Sequence, residues 1–194
     1  MKQGKRFLSM ICVIGVIICW PFGDARGETA TKYKRTIENY GIPDVTLVNQ
    51  NGARVKFKAV MESEKPVMID FVYTTCTTIC PVLSAGFSNF QRKLGPDAGT
   101  AHLVSISIDP ENDVPAKMKE YLRRYDAKPG WDFLTGSKKD IDLVLKAFNV
   151  NVSNKMSHQP IILIWSPARK NWTKIDGLIK TAELIEESRM AVAK

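Results

Sequence analysis

Pro66-Val67-Met68-Ile69-Asp70-Phe71-Val72-Tyr73 is a near-continuous apolar run. Such a run reads as a strand buried on both faces, the middle of a sheet covered by helices on each side. The next residues narrow the fold further. The chain passes through Thr74-Thr75-Cys76-Thr77-Thr78-Ile79-Cys80-Pro81, after which Val82, Leu83, Phe87, Phe90 and Leu94 recur at helical spacing and stop at Gly95-Pro96. A buried strand thus delivers two cysteines to the start of a helix, where exposed backbone N–H groups favour thiolate.

The rest of the chain repeats the alternation. His102 to Ile108 predicts a second strand, ending at Asp109-Pro110. Pro115 sits in the first turn of a helix that turns Met118, Tyr121, Leu122 and Tyr125 inward. Ser137 with Asp140 predicts a capped third helix through Leu143, Val144, Ala147 and Phe148. Ile161–Trp165 and Trp172–Ile175 read as strands joined by a polar loop, and Thr181 to Met190 as a closing helix. Ahead of the central run, Val45–Val48 and Arg54–Phe57 flank Asn51-Gly52, a strong β-hairpin signal. These elements predict an α/β protein, a central mixed β-sheet flanked by helices with an added N-terminal β-hairpin. A cysteine pair at the end of a buried strand, just ahead of a helix, is the thioredoxin-like placement.

The N-terminus is a separate matter. Lys2, Lys5 and Arg6 precede an apolar run from Phe7 to Phe22, and small residues come next at Ala25-Arg26-Gly27. Residues 1–27 read as a signal peptide or, uncleaved, an N-terminal membrane anchor, and residues 28–41 as a tether to a domain over 42–194. The expectation is an exported protein, periplasmic or anchored to the outer face of the inner membrane, touching membrane only through that segment. Losing Lys2, Lys5, Arg6, Arg26 and Asp24 would lower the net charge from +8 to +5. The bases are scattered and not interleaved with aromatics, so nucleic acid is not an expected partner.

Cys12 and Cys19 fall in the leader, leaving Cys76 and Cys80 as the only thiols of the exported part. A close pair of this kind can bind a soft metal or cycle as a dithiol; a static staple across so short a loop would stabilise little. His102 opens a strand and reads as a structural strand-end residue. His158 lies in Met156-Ser157-His158-Gln159-Pro160, a loop feeding a central strand, where a histidine is structural more often than not; a cysteine pair at the facing strand end leaves a ligand role open to it. Two thiolates and an imidazole suit copper, with zinc as the competitor. Met156 reads as packing more than as a thioether ligand.

Taken together, Ile42-Pro43-Asp44, Tyr73-Thr74 leading to Cys-x-x-x-Cys-Pro, Ser107-Ile108-Asp109-Pro110-Glu111, Leu134-Thr135-Gly136, the histidine at 158 and Asp176-Gly177 resemble the Sco/SenC proteins of cytochrome c oxidase assembly, over nearly all of residues 42–180. The resemblance implies a thioredoxin-like fold and copper, as Cu(I) or Cu(II), held by Cys76, Cys80 and His158, with Asp109 as an acidic residue behind the ligands. It also implies a copper-receiving subunit of a respiratory oxidase as partner. Thr77 stands where the family commonly has proline, and Ser157-His158-Gln159 where it commonly has Asp-His-Ser. Pro160 occupies the place where thioredoxins carry a cis-proline. That keeps open a second reading, a thiol–disulfide oxidoreductase acting on cysteines of exported partners through a redox-active pair that forms a reversible disulfide, with Cys76 attacking.

Overall fold

The computed structural model describes residues 33–152 and 154–193. In chain order the elements are β1 (Tyr33–Glu38), β2 (Thr46–Asn49), β3 (Arg54–Lys56), α1 (Phe57–Met61), β4 (Val67–Val72), α2 (Cys80–Leu94) and β5 (His102–Ser107). Then come α3 (Pro115–Arg124), β6 (Trp131–Thr135), α4 (Lys138–Ala147), β7 (Ile161–Ser166), β8 (Asn171–Gly177) and α5 (Thr181–Val192). The strands form one sheet in the order β1-β8-β7-β4-β5-β6-β2-β3. β4, β5 and β6 run parallel, whereas β7 joins β4 antiparallel and β8, β1, β2 and β3 continue antiparallel outward. The sheet is mixed, as the sequence predicts.

All six residues of β4 are buried, which its unbroken apolar run requires of a strand packed on both faces. On one face Phe71 meets Phe148, which caps α4 and packs edge-on against Phe57 of α1 and Trp172 of β8, centroids 6.1 and 5.0 Å away. On the other, Phe87 of α2 packs edge-on to Trp131 and Tyr121 of α3 to Phe133, both partners on β6. Burying each large apolar side chain contributes roughly 1.5–3 kcal/mol, so these clusters hold the helices to the sheet.

Local signals place the ends. The Asn49 side chain accepts from the N–H groups of Asn51 and Ala53, both at 3.0 Å, and Gly52 takes a left-handed φ of 79° to close the β2–β3 hairpin. Ser137 caps α4 by accepting the Asp140 N–H at 3.1 Å. Pro115 occupies the start of α3, where a missing N–H costs nothing.

Three elements escape the sequence reading. β6 and the single turn of α1 are too short to show a period of their own. Tyr33–Glu38 lies inside the segment 28–41 read as a tether, yet forms β1, paired residue for residue with β8 from Tyr33↔Gly177 to Glu38↔Trp172. Arg35 adds a forked salt bridge to Glu187 of α5, at 2.7 and 3.1 Å. An edge strand is held by one ladder and needs no apolar alternation, so nothing in its composition marks it. The leader assigned to residues 1–27 lies outside the described residues. No helix among the described residues is long and apolar enough to cross a membrane.

The antiparallel entry of β7 has one functional result. β4 and β5 end, and β7 begins, on the same edge of the sheet. That edge carries Cys76 and Cys80 after β4, Asp109 after β5 and His158 before β7.

Candidate metal and thiol site

The cysteines are built by the β4–α2 junction. Cys76 closes a turn by donating its N–H to the Tyr73 carbonyl at 3.2 Å, and Cys80 is the first residue of α2, with Pro81 behind it. The Cys80 N–H donates to the Cys76 sulfur at 3.4 Å, and the Thr78 hydroxyl stands 3.6 Å from that sulfur. Both are free thiols, and both are buried rather than open at the surface, Cys76 at 7% exposure and Cys80 at 0%. Burial alone would push the Cys76 thiol up. Hydrogen bonds from Cys80 and Thr78 outweigh it and bring Cys76 down to about 7. Burial, then the neighbouring Cys76 and the Asp70 carboxylate, pushes the Cys80 thiol far up.

This asymmetry has a direct readout. In the reduced, metal-free protein, alkylation of Cys76 by iodoacetamide is expected to rise with a pH midpoint near 7, where an ordinary thiol lies near about 8.5. Cys80 should remain unmodified through neutral pH. Peptide mapping by mass spectrometry after timed labelling checks both, and equal labelling of the two thiols would refute the assignment.

His158 is buried beside them. Its Nδ1 lies 2.9 Å from the Lys155 carbonyl, which can only accept, so Nδ1 carries the proton. In the neutral ring Nε2 therefore presents its lone pair, and it faces the Cys80 sulfur at 3.8 Å. The Tyr73 ring packs edge-on to the imidazole, centroids 5.9 Å apart. Burial, then the nearby Cys76, Cys80 and Asp109, pushes the Tyr73 phenol up to about 12. The loop that carries His158 is further tied down by Lys155, whose ammonium reaches Asp109 at 2.6 Å. Burial would raise the Asp109 carboxyl, but Lys155, Asn112 and Lys117 hold it below the usual carboxylate range. Asp109 thus meets the site at one remove, through Lys155 and the histidine loop.

Two buried carboxylates that sequence reasoning misses belong to the same region. Asp113 accepts from the Thr74 N–H at 3.1 Å, the Thr74 hydroxyl at 2.5 Å and the Ser107 hydroxyl at 2.6 Å. It thereby fastens the end of β5 to the strand exit that leads into Cys76. Asp70, fully buried on β4, has no hydrogen-bond partner for either oxygen among the described residues. Burial pushes its carboxyl up to about 7, with the Ser105 hydroxyl nearby but outside hydrogen-bond geometry. A single charge inside the otherwise apolar run 67–73 is the available signal for Asp70. Nothing local marks Asp113.

His102 is structural, as expected. It sits at the opposite end of β5 from Asp109 and bonds Asp132 at 2.8 Å. No cis peptide occurs among the described residues, so the Gln159–Pro160 bond is trans. Met156 departs from the packing role read from sequence. It is the most exposed large apolar side chain described, at 63%, and its sulfur accepts from the Tyr73 hydroxyl at 3.4 Å.

Comparison with known proteins adds a decisive observation. The SCO1/SenC family profile matches residues 35–193. The chain belongs to the SCO1/SenC family. A Bacillus subtilis SCO1 protein homolog is 33% identical over 74% of this chain and 77% of its own length. Protein SenC of Rhodobacter capsulatus is 27% identical over 61% of the chain, which spans about half, 52%, of that relative. Among solved structures, BsSco, described as a Sco-family cytochrome c oxidase assembly protein with a disulfide switch, superposes with a TM-score of 0.67 at 29% identity, covering 80% of this chain and 95% of BsSco. Bradyrhizobium japonicum ScoI with copper bound does so with a TM-score of 0.65 at 28% identity, over 78% of this chain and 99% of ScoI. The fold is thus the thioredoxin-like fold of the Sco proteins, with the predicted β2–β3 hairpin on the β6 side of the sheet.

Proposed function

We propose that this SCO1/SenC protein carries copper on Cys76, Cys80 and His158 and delivers it to the copper-receiving subunit of a cytochrome c oxidase, for its dinuclear copper centre. It would do so from an exported position, periplasmic or anchored to the outer face of the inner membrane. The observation that carries this reading is the His158 Nε2 lone pair, fixed by its Nδ1–H bond and aimed at the Cys80 sulfur 3.8 Å away. A metal bound at about 2.3 Å to sulfur and 2.0–2.1 Å to nitrogen holds those atoms no more than about 4.4 Å apart, so the pair fits one ion. An imidazole that donates its other N–H to a backbone carbonyl is also the usual arrangement of a metal-ligating histidine. Among the described residues no three His, Cys, Asp or Glu side chains already ring a common point. Cys76, whose sulfur is turned toward the α2 N-terminus, is the donor that must swing in. Two thiolates and an imidazole are a soft set suited to copper, and copper-bound ScoI from B. japonicum and from Arabidopsis thaliana share this fold.

A thiol–disulfide role has its own support in the unequal thiols. Cys76 is ionised near neutral pH and suited to attack a partner disulfide, while buried Cys80 keeps its proton until it resolves the mixed disulfide. The partner would receive two electrons, and this pair would be left as the Cys76–Cys80 disulfide.

One variant separates the readings. Anaerobic Cu(I) titration of the reduced domain should give one copper per chain, and His158→Ala should weaken binding at least about tenfold, the lower end of what even outer-sphere changes do. Reductase activity towards a model disulfide should stay within twofold, because neither thiol is touched. Unchanged copper affinity in His158→Ala would leave the redox role as the better reading.

A further inference from the structure

Met156 has no packing reason to be where it is. An exposed thioether costs apolar hydration and gains nothing from a core. Yet its position is over-determined. Its N–H is held by the Asn154 side chain at 2.9 Å, inside the short 3₁₀ turn Lys155–Ser157. The Tyr73 hydroxyl donates to its sulfur at 3.4 Å, and the same Tyr73 ring packs against His158. Tyr73 also feels both Cys76 and Cys80. A single buried phenol thus touches the imidazole, stands by the thiols and points its hydroxyl at an exposed sulfur. Among the described residues, the thioether is the one soft donor at this edge of the sheet that faces solvent.

We propose that Met156 is the loading and unloading ligand for monovalent copper, an exposed thioether that takes Cu(I) from its donor and passes it inward to Cys76, Cys80 and His158, then meets it again on the way out. This rests on the copper-carrying function proposed for the site. The chemistry favours Cu(I). A neutral thioether binds soft monovalent copper, binds harder divalent ions poorly, and needs no proton removed before it acts. The steps balance without a change of oxidation state. A Cu–S bond to Met156 forms as the donor's ligand leaves. Bonds to the cysteine sulfurs then form as their thiol protons go to solvent, and the Met156 bond breaks. Release reverses the order onto the acceptor's ligands. Breaking the Tyr73 hydrogen bond frees the lone pair it occupies, so the phenol parks the sulfur between transfers.

Stopped-flow transfer of Cu(I) between a bicinchoninate complex and the reduced, metal-free protein tests this, alongside equilibrium competition with the same chelator. Met156→Leu keeps the volume and removes the donor at an exposed position. Loading and unloading are both expected to slow by about tenfold, the scale of a lost ligand-sphere contact, while equilibrium affinity stays within twofold. Zn(II) uptake followed by the same competition design should be the same in wild type and variant. Unchanged Cu(I) rates would overturn the proposal. So would an affinity loss matching that of His158→Ala, since Met156 would then be a resident ligand. Wild-type protein that takes up no Cu(I) would instead sink the copper-carrying reading itself, and this inference with it.

Discussion

Asp113→Ala is expected to destabilise the protein by about 3–5 kcal/mol, because it strands several buried donors at once. The Thr74 N–H, the Thr74 hydroxyl and the Ser107 hydroxyl all lose their acceptor, and the side chain is fully buried, so no water replaces it without rearrangement. The effect should reach the site as well as the fold. Thr74 lies two residues before Cys76, and the clamp is what fixes the strand exit from which the thiol loop springs. Urea denaturation of the reduced protein gives the stability change. Asp113→Asn, which keeps an acceptor oxygen, should recover part of it. A loss below about 1 kcal/mol in the alanine variant would show that the three donors find other partners.

The second large effect concerns Asp70 and pH. In the folded chain burial raises its carboxyl to about 7, whereas an unfolded aspartate ionises near about 3.9. Between those values the folded state keeps a proton that the unfolded state has released. The native state therefore binds more protons, and stability must fall as pH rises through the window from about 4 to about 7. Below it both states are protonated and the penalty vanishes; above it the penalty is complete and constant. The gap between about 3.9 and about 7 corresponds to about 4 kcal/mol. Asp70→Asn cannot ionise and should remove this dependence. Comparing the two proteins by urea denaturation at pH 4.5 and 7.5, the variant should gain several kcal/mol on wild type at the higher pH. A difference independent of pH would mean that Asp70 is ionised throughout, with a partner supplied by solvent.

What the sequence discloses depends on how each feature is encoded. β4 announces itself by an unbroken apolar run and α2, α3 and α4 by the period that burial of one face imposes, and Pro115 and Ser137 mark their helix starts locally. β1 does not, since an edge strand of Tyr33-Lys34-Arg35-Thr36-Ile37-Glu38 is held by a ladder to β8 that no local pattern records. The cysteine pair is legible because its members are four residues apart at a strand–helix junction, and His158 because it stands in the loop before a strand in a recognisable family context. Asp113 and Tyr73 matter through contacts made across the sheet edge, which spacing along the chain does not encode. Met156 reads as packing because methionine usually packs; only its exposure and the Tyr73 hydrogen bond say otherwise.

The placement of β7 also sets an order of events during folding. Cys76 and Cys80 come from one junction and can approach as soon as β4 and α2 form. His158 lies 78 residues beyond Cys80, and it arrives only when β7 pairs on the side of β4 away from β5. Closing so long a loop must precede the contacts that reward it, so this pairing is expected to follow formation of the β4–α2 junction. A half-folded chain therefore offers a dithiol without its imidazole, and the three-donor set exists only once the sheet is complete. Copper bound by the proposed three-donor set would then report not merely that the metal has arrived but that the chain has finished folding.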